Sequence, residues 1–405
     1  MQASTFEQLD PRIVGSRLQD ARQAAGLTQH QAADEMGMAR TTVVAIEKGE
    51  RRVLPKELVD FAKLYRRQVS ELAGRQEVTE GFVPQFRSTE RQVLAKHGNF
   101  EQSAYELQQR AEDYVELERM LGVKQHRNYP PVHETTGATP EQLASDAAAA
   151  ERNRLGLGDG PIGNLRERLE TDLGIRVFYF PMPSKIAGLF AYNSSLGACI
   201  AINSNHPRDR RNWSLAHEYG HFLMHRYRAE ITVLETRRLG SARERIADAF
   251  AENFLMPEPG LNRRFTEFHR GAEKGITLAD IVSLSYLYEV AVQAMVLRLE
   301  TLRRLPAGTW QRLAAEGFKV REAQRLLGID ANPPFEDLLP RRYVALAIEA
   351  YKKGGLSEGQ LARFLRMDRV SARLRLEEGL RGIHQESEGE FTELDLDLAQ
   401  PLSGR

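Results

Sequence analysis

The chain has 405 residues, which is long for one domain, so two to four domains are expected. Lys+Arg and Asp+Glu each number 56, so global charge neither indicates nor excludes nucleic acid as a partner. Cys199 is the only cysteine, which excludes an internal disulfide framework and a cysteine-rich zinc site and fits a reducing compartment. No apolar run approaches 18 residues, and the start lacks a secretory signal pattern, so we expect a cytoplasmic protein without a membrane span.

Residues 13–75 have the pattern of four short helices. Thr28 is a typical cap for the second helix, and Gly37 permits a tight turn before a third helix at 39–48. Pro55 favours the first turn of a fourth. The stretch LTQHQAADEMGMARTTVVAIEKGERR (27–52) is similar to the helix-turn-helix of Xre-family, lambda-repressor-like regulators.

That resemblance implies binding of a double-stranded DNA operator, with a homodimer as the default state. Gln29 is placed to hold a phosphate and brace the next helix, while small Ala33 suits the helix crossing. Glu47 and Glu50 are expected to lower the local positive charge. The residues predicted to face the DNA grooves or lie near phosphates are Ala39, Arg40, Thr41, Thr42, Val44, Lys48, Arg51 and Arg52. The alternative is a helical bundle used only for protein contact.

The middle of the chain changes from helical to strand patterns. Residues 76–140 read as a helical connector followed by the Pro-rich linker NYPPVHETTGATP, our predicted domain boundary. Residues 141–173 look helical, and the runs IRVFYF, AGLFAY and ACIAIN predict three strands. Helices are then predicted from about Arg211 and over 241–255, and a helical stretch of near-continuous periodicity is predicted over 277–304.

The stretch SLAHEYGHFLMH (214–225) contains the pattern H-E-x-x-H. On a helix, His217 and His221 lie one turn apart on one face, so both imidazoles can hold one metal ion. Glu218 beside them suits the general base of a metallopeptidase. His225 lies two turns from His217, about 12 Å along the helix, which is too far for one ion to reach both. A surface helix rich in His and Glu, without metal, is the alternative.

A second acidic helix can complete the ligand set. In ARERIADAFAENFLMP, Glu244 is the preferred third ligand and Asp248 the alternative. If Glu244 binds the metal, Asp248 can orient a histidine ring from behind. Two histidines with a carboxylate favour Zn2+.

AINSNHPRDRRNWSLAHEYGHFLMH followed by ERIADAFAENFLMP resembles the ImmA/IrrE family of zinc metallopeptidases over roughly residues 150–300. The resemblance implies a thermolysin-like zincin fold with a small sheet. It implies His217, His221 and Glu244 as ligands and Glu218 as base. Relatives are implied to cut helix-turn-helix repressors. Asp248 stands where many relatives have Asn, a mild departure. His225, Tyr227 and His206 remain undiscriminated candidates for stabilising the oxyanion.

The C-terminal region carries a hint of internal repetition. LTQHQAADEMGMART (27–41) aligns with LSEGQLARFLRMDRV (356–370), which is equally compatible with a second helix-turn-helix or with chance similarity of amphipathic helices. The expected class is mostly α with a small β-sheet (α+β). The expected domains are 1–75 for DNA binding, 76–140 as connector, 141–304 as metallopeptidase, 305–383 as a helical region, and 384–405 as an acidic disordered tail.

These features predict a DNA-binding transcriptional regulator with a zinc-dependent endopeptidase domain. Its expected protein substrate is a helix-turn-helix repressor or its own chain, through a cut in the Pro-rich linker, to control stress or mobile-element genes. One alternative is a non-proteolytic transcription factor whose zinc domain senses a signal. Another is the antitoxin-like regulator of a toxin–antitoxin operon.

Overall fold

The computed structural model describes residues 11–25, 27–65, 69, 72, 82, 100–133, 138–227, 230–233, 242–270, 276–329, 338–380, 384–385 and 391–392. They fall into two compact units, residues 1–106 and 107–405. The expected mostly helical fold with a small sheet is confirmed. Most of residues 76–99 of the predicted connector 76–140, and most of the predicted acidic tail, lie outside the described residues.

The first unit is built on four helices, α1 (Pro11–Ala24), α2 (Gln29–Glu35), α3 (Arg40–Glu47) and α4 (Pro55–Leu64). Thr28 caps α2: its side chain accepts a hydrogen bond from the Gln31 amide, and the Gln31 Oε1 atom accepts one from the Thr28 amide. Gly37 makes the turn to α3 with φ of +62°, a conformation that glycine adopts without strain. The helices enclose a core that includes Val14, Leu18, Ala33, Val43, Ile46, Leu58 and Phe61.

Helices make up most of the remaining chain. Their bounds are α5 (Phe100–Met120), α6 (Pro140–Arg154), α7 (Leu165–Arg168), α8 (Arg208–His225), α9 (Ala242–Leu255), α10 (Glu258–Arg270), α11 (Leu278–Leu287), α12 (Val292–Thr301), α13 (Thr309–Ala315), α14 (Val320–Leu326), α15 (Arg341–Lys352), α16 (Glu358–Leu365) and α17 (Arg369–Leu380). A single π-helical turn, Leu169–Leu173, continues α7 and ends at Gly174.

A four-stranded sheet lies at the centre of the second unit. Its strands are β1 (Arg176–Phe180), β2 (Ile186–Asn193), β3 (Gly197–Asn203) and β4 (Glu230–Val233), in the order β1-β3-β2-β4. β1 and β3 are parallel, whereas the other two pairs are antiparallel. The three predicted strands are confirmed, and β4 is an addition that the sequence pattern did not indicate.

Helices cover both faces of this sheet, so its strands are buried on both sides. On one face, α8 packs on β2 and β3, with the Phe190 and Phe222 rings 6.1 Å apart. On the other face, Phe178 of β1 contacts Tyr114 of α5 and Tyr343 of α15, at ring separations of 6.5 and 6.4 Å. The C-terminal helices therefore belong to the core of this unit.

The side chain of Asn203 pins the turn between β1 and β2. Its Nδ2 donates to the carbonyls of Met182, Pro183 and Ile186 at 2.8–3.1 Å, and its Oδ1 accepts from the Met182 amide at 3.1 Å. Four hydrogen bonds to one buried side chain fix the end of β3. The chain then passes Pro207 and enters α8, so Asn203 helps to set where that helix begins.

Two segments differ from the sequence expectation. The helical stretch predicted over 277–304 is interrupted: α11 and α12 are separate and bent by 105°, with Glu289 at φ of +52° between them. In the Pro-rich stretch, residues 128–133 are hydrogen-bonded to other parts of the second unit, to which they belong. The Asn128 amide donates to the Leu173 carbonyl at 3.0 Å and the His133 amide to the Leu223 carbonyl at 2.9 Å. Residues 134–137 lie outside the described residues.

The predicted tail contains one described feature, a pairing of β5 (His384–Gln385) with β6 (Phe391–Thr392). Within the described part of the chain, no single helix is long and apolar enough to cross a membrane. The bent pair α11 and α12 meets that criterion only when the two helices are taken together.

Candidate metal centre and DNA-binding surface

Helix α8 presents two histidines side by side in the interior. His217 and His221 are fully buried, and their Nε2 atoms are 3.1 Å apart. Most of the helix from Arg211 to Met224 is buried too, with Leu215, Phe222 and Leu223 in the main core. The sequence pattern therefore produces a metal-type arrangement of rings inside the protein, not a solvated helix face.

Helix α9 supplies the carboxylate that faces both rings. Glu244 lies with Oε2 at 3.3 Å from His217 Nε2 and with Oε1 at 3.3 Å from His221 Nε2. This approach depends on Gly220 of α8, where a Cβ atom would stand only 3.0 Å from a ring carbon of Phe250 and 3.3 Å from the Ala247 Cα. A glycine inside the motif thus lets α9 pack closely enough to bring Glu244 to the histidines.

These three side chains form a candidate metal site. Each offers one ligand atom, and the three atoms lie within 4.8 Å of one another. Asp248, the alternative third ligand, lies behind the site: its Oδ1 is 2.8 Å from His217 Nδ1. That contact suits a ring that donates Nδ1–H to the carboxylate and presents the Nε2 lone pair to a metal.

The charges of the site are strongly coupled. Burial alone lowers the pKa of His217, but the hydrogen bonds to Asp248 and Glu244 outweigh it and raise the pKa to about 10. Burial opposes ionisation of Glu244, yet the two histidines hold the pKa of its carboxyl well below the usual range. For His221 burial dominates and lowers the pKa. Without a metal, the pocket thus stabilises one proton on His217 between two carboxylates.

Glu218 lies beside the ligands, fully buried against strand β2. A Cβ atom on Gly188 would stand 2.5 Å from Glu218 Oε1, so only glycine leaves room for this carboxylate. Sequence reasoning missed Gly188. The only local signal is a glycine inside a strand, which often marks a close approach by another group.

The three candidates for stabilising the oxyanion, His225, His206 and Tyr227, lie in different places. The His225 ring is 5.6 Å from the ring of His221, next to the candidate ligands but outside their set. His206 is buried with its Nε2 3.0 Å from the Ser184 carbonyl oxygen. Tyr227 is 76% exposed, with its ring 5.7 Å from the ring of Tyr192. Of the three, His225 is the one in ring contact with a candidate ligand.

In the first unit, the start of α3 forms an exposed surface. Ala39, Arg40 and Thr41 are exposed, and Thr42 and Val44 are half-buried. This is the surface that the sequence predicts to face a major groove. Lys48 and Arg52 are exposed nearby. Arg51 is half-buried and donates two hydrogen bonds to the carboxylate of Glu57, at 2.8 and 3.0 Å.

One charge expectation is wrong. Glu47 is buried, because its carboxylate accepts two hydrogen bonds from Arg22 at 2.5 and 3.0 Å. Its charge is therefore paired with Arg22 inside the unit and is not presented on the predicted DNA-facing surface. Gln29 donates to the same carboxylate at 2.9 Å, so it braces α2 against α3, one of the two roles predicted for it.

In comparisons with known families, one family model matches the region of each of these two sites. Residues 170–300 match the IrrE N-terminal-like domain, a peptidase family, and residues 18–72 match the helix-turn-helix family. The chain therefore joins an Xre-like helix-turn-helix DNA-binding domain to an IrrE/ImmA-like metallopeptidase-type domain. A search among curated proteins gave no match.

Proposed function

We propose that this protein is a DNA-bound regulator whose second unit is a zinc-dependent endopeptidase. The observation that carries the proposal is the convergence of His217, His221 and Glu244 beside the buried carboxylate of Glu218. Zinc ligands about 2.0–2.1 Å from the ion in tetrahedral geometry are about 3.3 Å apart. The two histidine Nε2 atoms lie 3.1 Å apart, and each lies 3.3 Å from one of the two Glu244 carboxylate oxygens, so the three side chains converge at spacings close to that value.

In this proposal each buried side chain has one task. His217, His221 and Glu244 would hold zinc, and Asp248 orients the His217 ring. When bound, zinc polarises the peptide carbonyl and makes water a better nucleophile at neutral pH. Glu218 Oε1 or Oε2 takes the proton of the attacking water and then gives it to the leaving amine. The close backbone at Gly188 keeps that carboxylate in place.

The substrate is proposed to be another protein, a helix-turn-helix repressor. The bonds of Asn128 and His133, together with the bond from Arg226 Nη2 to the Pro130 carbonyl at 2.6 Å, hold residues 128–133 against other parts of the second unit. Cleavage there would first require that these contacts break. A separate substrate needs no such release, so the geometry disfavours a cut within 128–133.

The test compares the wild type with Glu218→Gln. The amide has the shape of the carboxylate but cannot take the proton, so the variant should keep one equivalent of zinc and lose hydrolysis about 100-fold or more. New protein N-termini would be surveyed in producing cells, with and without DNA damage. A cut that depends on Glu218 identifies the substrate, whether another protein or this chain.

The control is His221→Ala, which should lose both zinc and hydrolysis. If zinc is bound and no cut in the cell depends on Glu218, the peptidase proposal fails. The zinc unit would then be assigned to sensing, with transcription itself as the function. If the purified wild type binds no zinc, the ligand assignment fails first.

A further inference from the structure

The three C-terminal helices α15, α16 and α17 repeat the order and the spacing along the chain of α1, α2 and α3. The helices α2 and α16 begin at Gln29 and Glu358, and α3 and α17 begin at Arg40 and Arg369, so both pairs are 329 residues apart. α15 begins at Arg341, one residue after the position that the same spacing gives for Pro11. The helix starts of the two segments therefore correspond almost without insertion.

The caps and the turn are repeated as well. Ser357 caps α16 through a reciprocal pair of bonds with Gln360, as Thr28 does with Gln31. The turn before the last helix uses a left-handed residue at the same place, Gly37 at φ of +62° and Arg366 at φ of +56°. The amides that follow donate to the same relative carbonyls, Met38 to Ala33 and Met367 to Ala362, at 3.0 and 3.1 Å.

The buried positions also correspond. Side chains of the first and last helices point into each core at the same spacing, and the small alanine at the crossing of the second and third helices is kept. The pairs in which both members are buried are Val14 and Tyr343, Leu18 and Ala347, Ala21 and Ala350, Ala32 and Leu361, Ala33 and Ala362, and Val43 and Ala372. Agreement of caps, turn and core at one constant spacing is not expected from two unrelated amphipathic helices.

The C-terminal copy is the more basic of the two. Residues 340–380 contain nine Lys and Arg against five Asp and Glu, whereas the equivalent residues 11–51 contain six against five. In α17 the positions equivalent to Arg40 and Val44 are Arg369 and Arg373, and both arginines are exposed. Arginine is the residue that most often reads guanine edges or pairs with phosphate.

Two exposed apolar side chains on α17 are also suited to contact DNA. Val370 and Leu374 are 70% and 56% exposed on α17, next to the two arginines in sequence. Apolar side chains in a major groove contact the methyl group of thymine. Glu358 stands where α2 has Gln29, and Arg373 pairs with it at 2.9 Å. Exposed ion pairs of this kind are weak, so a phosphate can compete for Arg373.

We propose that residues 340–380 form a second helix-turn-helix, which binds duplex DNA through Arg369, Val370, Arg373 and Leu374 of α17. One chain then carries two DNA-reading units. This goes beyond the proposed peptidase function and does not depend on it, because none of these residues belongs to the metal centre.

The first experiment measures the DNA affinity of the full chain in a Glu218→Gln background, so that hydrolysis does not alter the protein. The probe is a pool of labelled random-sequence duplexes of about 40 bp, followed by fluorescence anisotropy at several salt concentrations. The double variant Arg369→Ala/Arg373→Ala should bind about tenfold more weakly. Its log K against log salt slope should be smaller by about 2, since two phosphate contacts are removed.

The matched control is Arg321→Ala/Arg325→Ala. These arginines are also four residues apart and exposed, on α14, and their removal changes the net charge equally. The control should keep most of the affinity and the slope. Equal losses in the two double variants, or no loss in the α17 variant, would overturn the proposal.

A second measurement excludes masking by the N-terminal unit. The triple variant Arg40→Ala/Lys48→Ala/Arg52→Ala should retain measurable, salt-dependent binding, and adding the α17 changes should remove it. If the triple variant alone binds no DNA while its thermal unfolding is unchanged, residues 340–380 do not bind DNA and the proposal fails.

Discussion

Asp248 holds the ring of His217 through a 2.8 Å contact with Nδ1, which keeps Nε2 directed at Glu244. Loss of such a carboxylate partner commonly lowers metal affinity 10–100-fold. We therefore expect Asp248→Ala to weaken zinc binding by about 10–100-fold, measured by competition with a chelating dye. Asp248→Asn should weaken it less, because the amide oxygen still accepts the bond. Equal zinc affinity in the wild type and Asp248→Ala would contradict this role.

Zinc uptake should release a proton from His217. Its pKa of about 10 without metal means that the ring is protonated at pH 7.5, whereas a metal ligand must be neutral. Calorimetric titration in two buffers of different ionisation enthalpy should therefore show release of about one proton per zinc, and zinc affinity should fall as the pH falls. A binding enthalpy that does not depend on the buffer would show that the ring is already neutral.

The residues of the site differ in how far the sequence predicts them. His217, Glu218 and His221 follow from helix periodicity within five residues, and the structure brings the two histidines together. For the third metal ligand the sequence favours Glu244 but does not exclude Asp248, because the choice depends on how α9 packs. The sequence does not link Gly188 to Glu218, because the two residues lie on different elements 30 positions apart.

At the scale of elements, β2 and α8 approach each other as closely as a glycine allows. Gly188→Ala should displace Glu218, since the added methyl would stand 2.5 Å from its carboxylate oxygen. We expect hydrolysis to fall about tenfold or more while zinc content stays at one equivalent, because small misplacements of a catalytic group are costly. Activity on the cleaved substrate and metal analysis measure the two effects.

A double-mutant cycle identifies the clash. If Gly188→Ala destabilises the protein through Glu218, its effect on the thermal midpoint should shrink when Glu218→Ala removes that side chain. An undiminished effect in the double variant would instead point to the strand backbone itself.

Local signals predicted helices and strands better than their interruptions. The cap at Thr28 and the three short apolar strand runs are confirmed in the structure. The sequence pattern does not predict the break between α11 and α12, because the residue with positive φ is Glu289 and no glycine or proline marks the position. Tertiary packing, with Tyr288 and Val290 both buried, overrides the helical periodicity there.

At the scale of the whole molecule, the residues matched by the peptidase family model do not include all the helices that pack on the sheet. Residues 170–300 contain all four strands and the candidate metal site. The second face of the sheet is covered from outside that range, by Tyr114 before it and Tyr343 after it. Glu118 of α5 also binds Arg176 of β1 at 2.7 Å and Arg342 of α15 at 2.6 Å.

The packing of helices on both faces of the sheet has a practical consequence for producing the peptidase domain in isolation. A recombinant fragment of residues 170–300 would present bare aromatic rings and a buried arginine without its carboxylate, and such fragments tend to precipitate. A fragment of residues 100–380 keeps both covering helices. We expect the longer piece to stay in solution and the shorter one to sediment, as centrifugation of the two lysates would show. Gene fragments trimmed to the family boundary would therefore yield inclusion bodies rather than crystals.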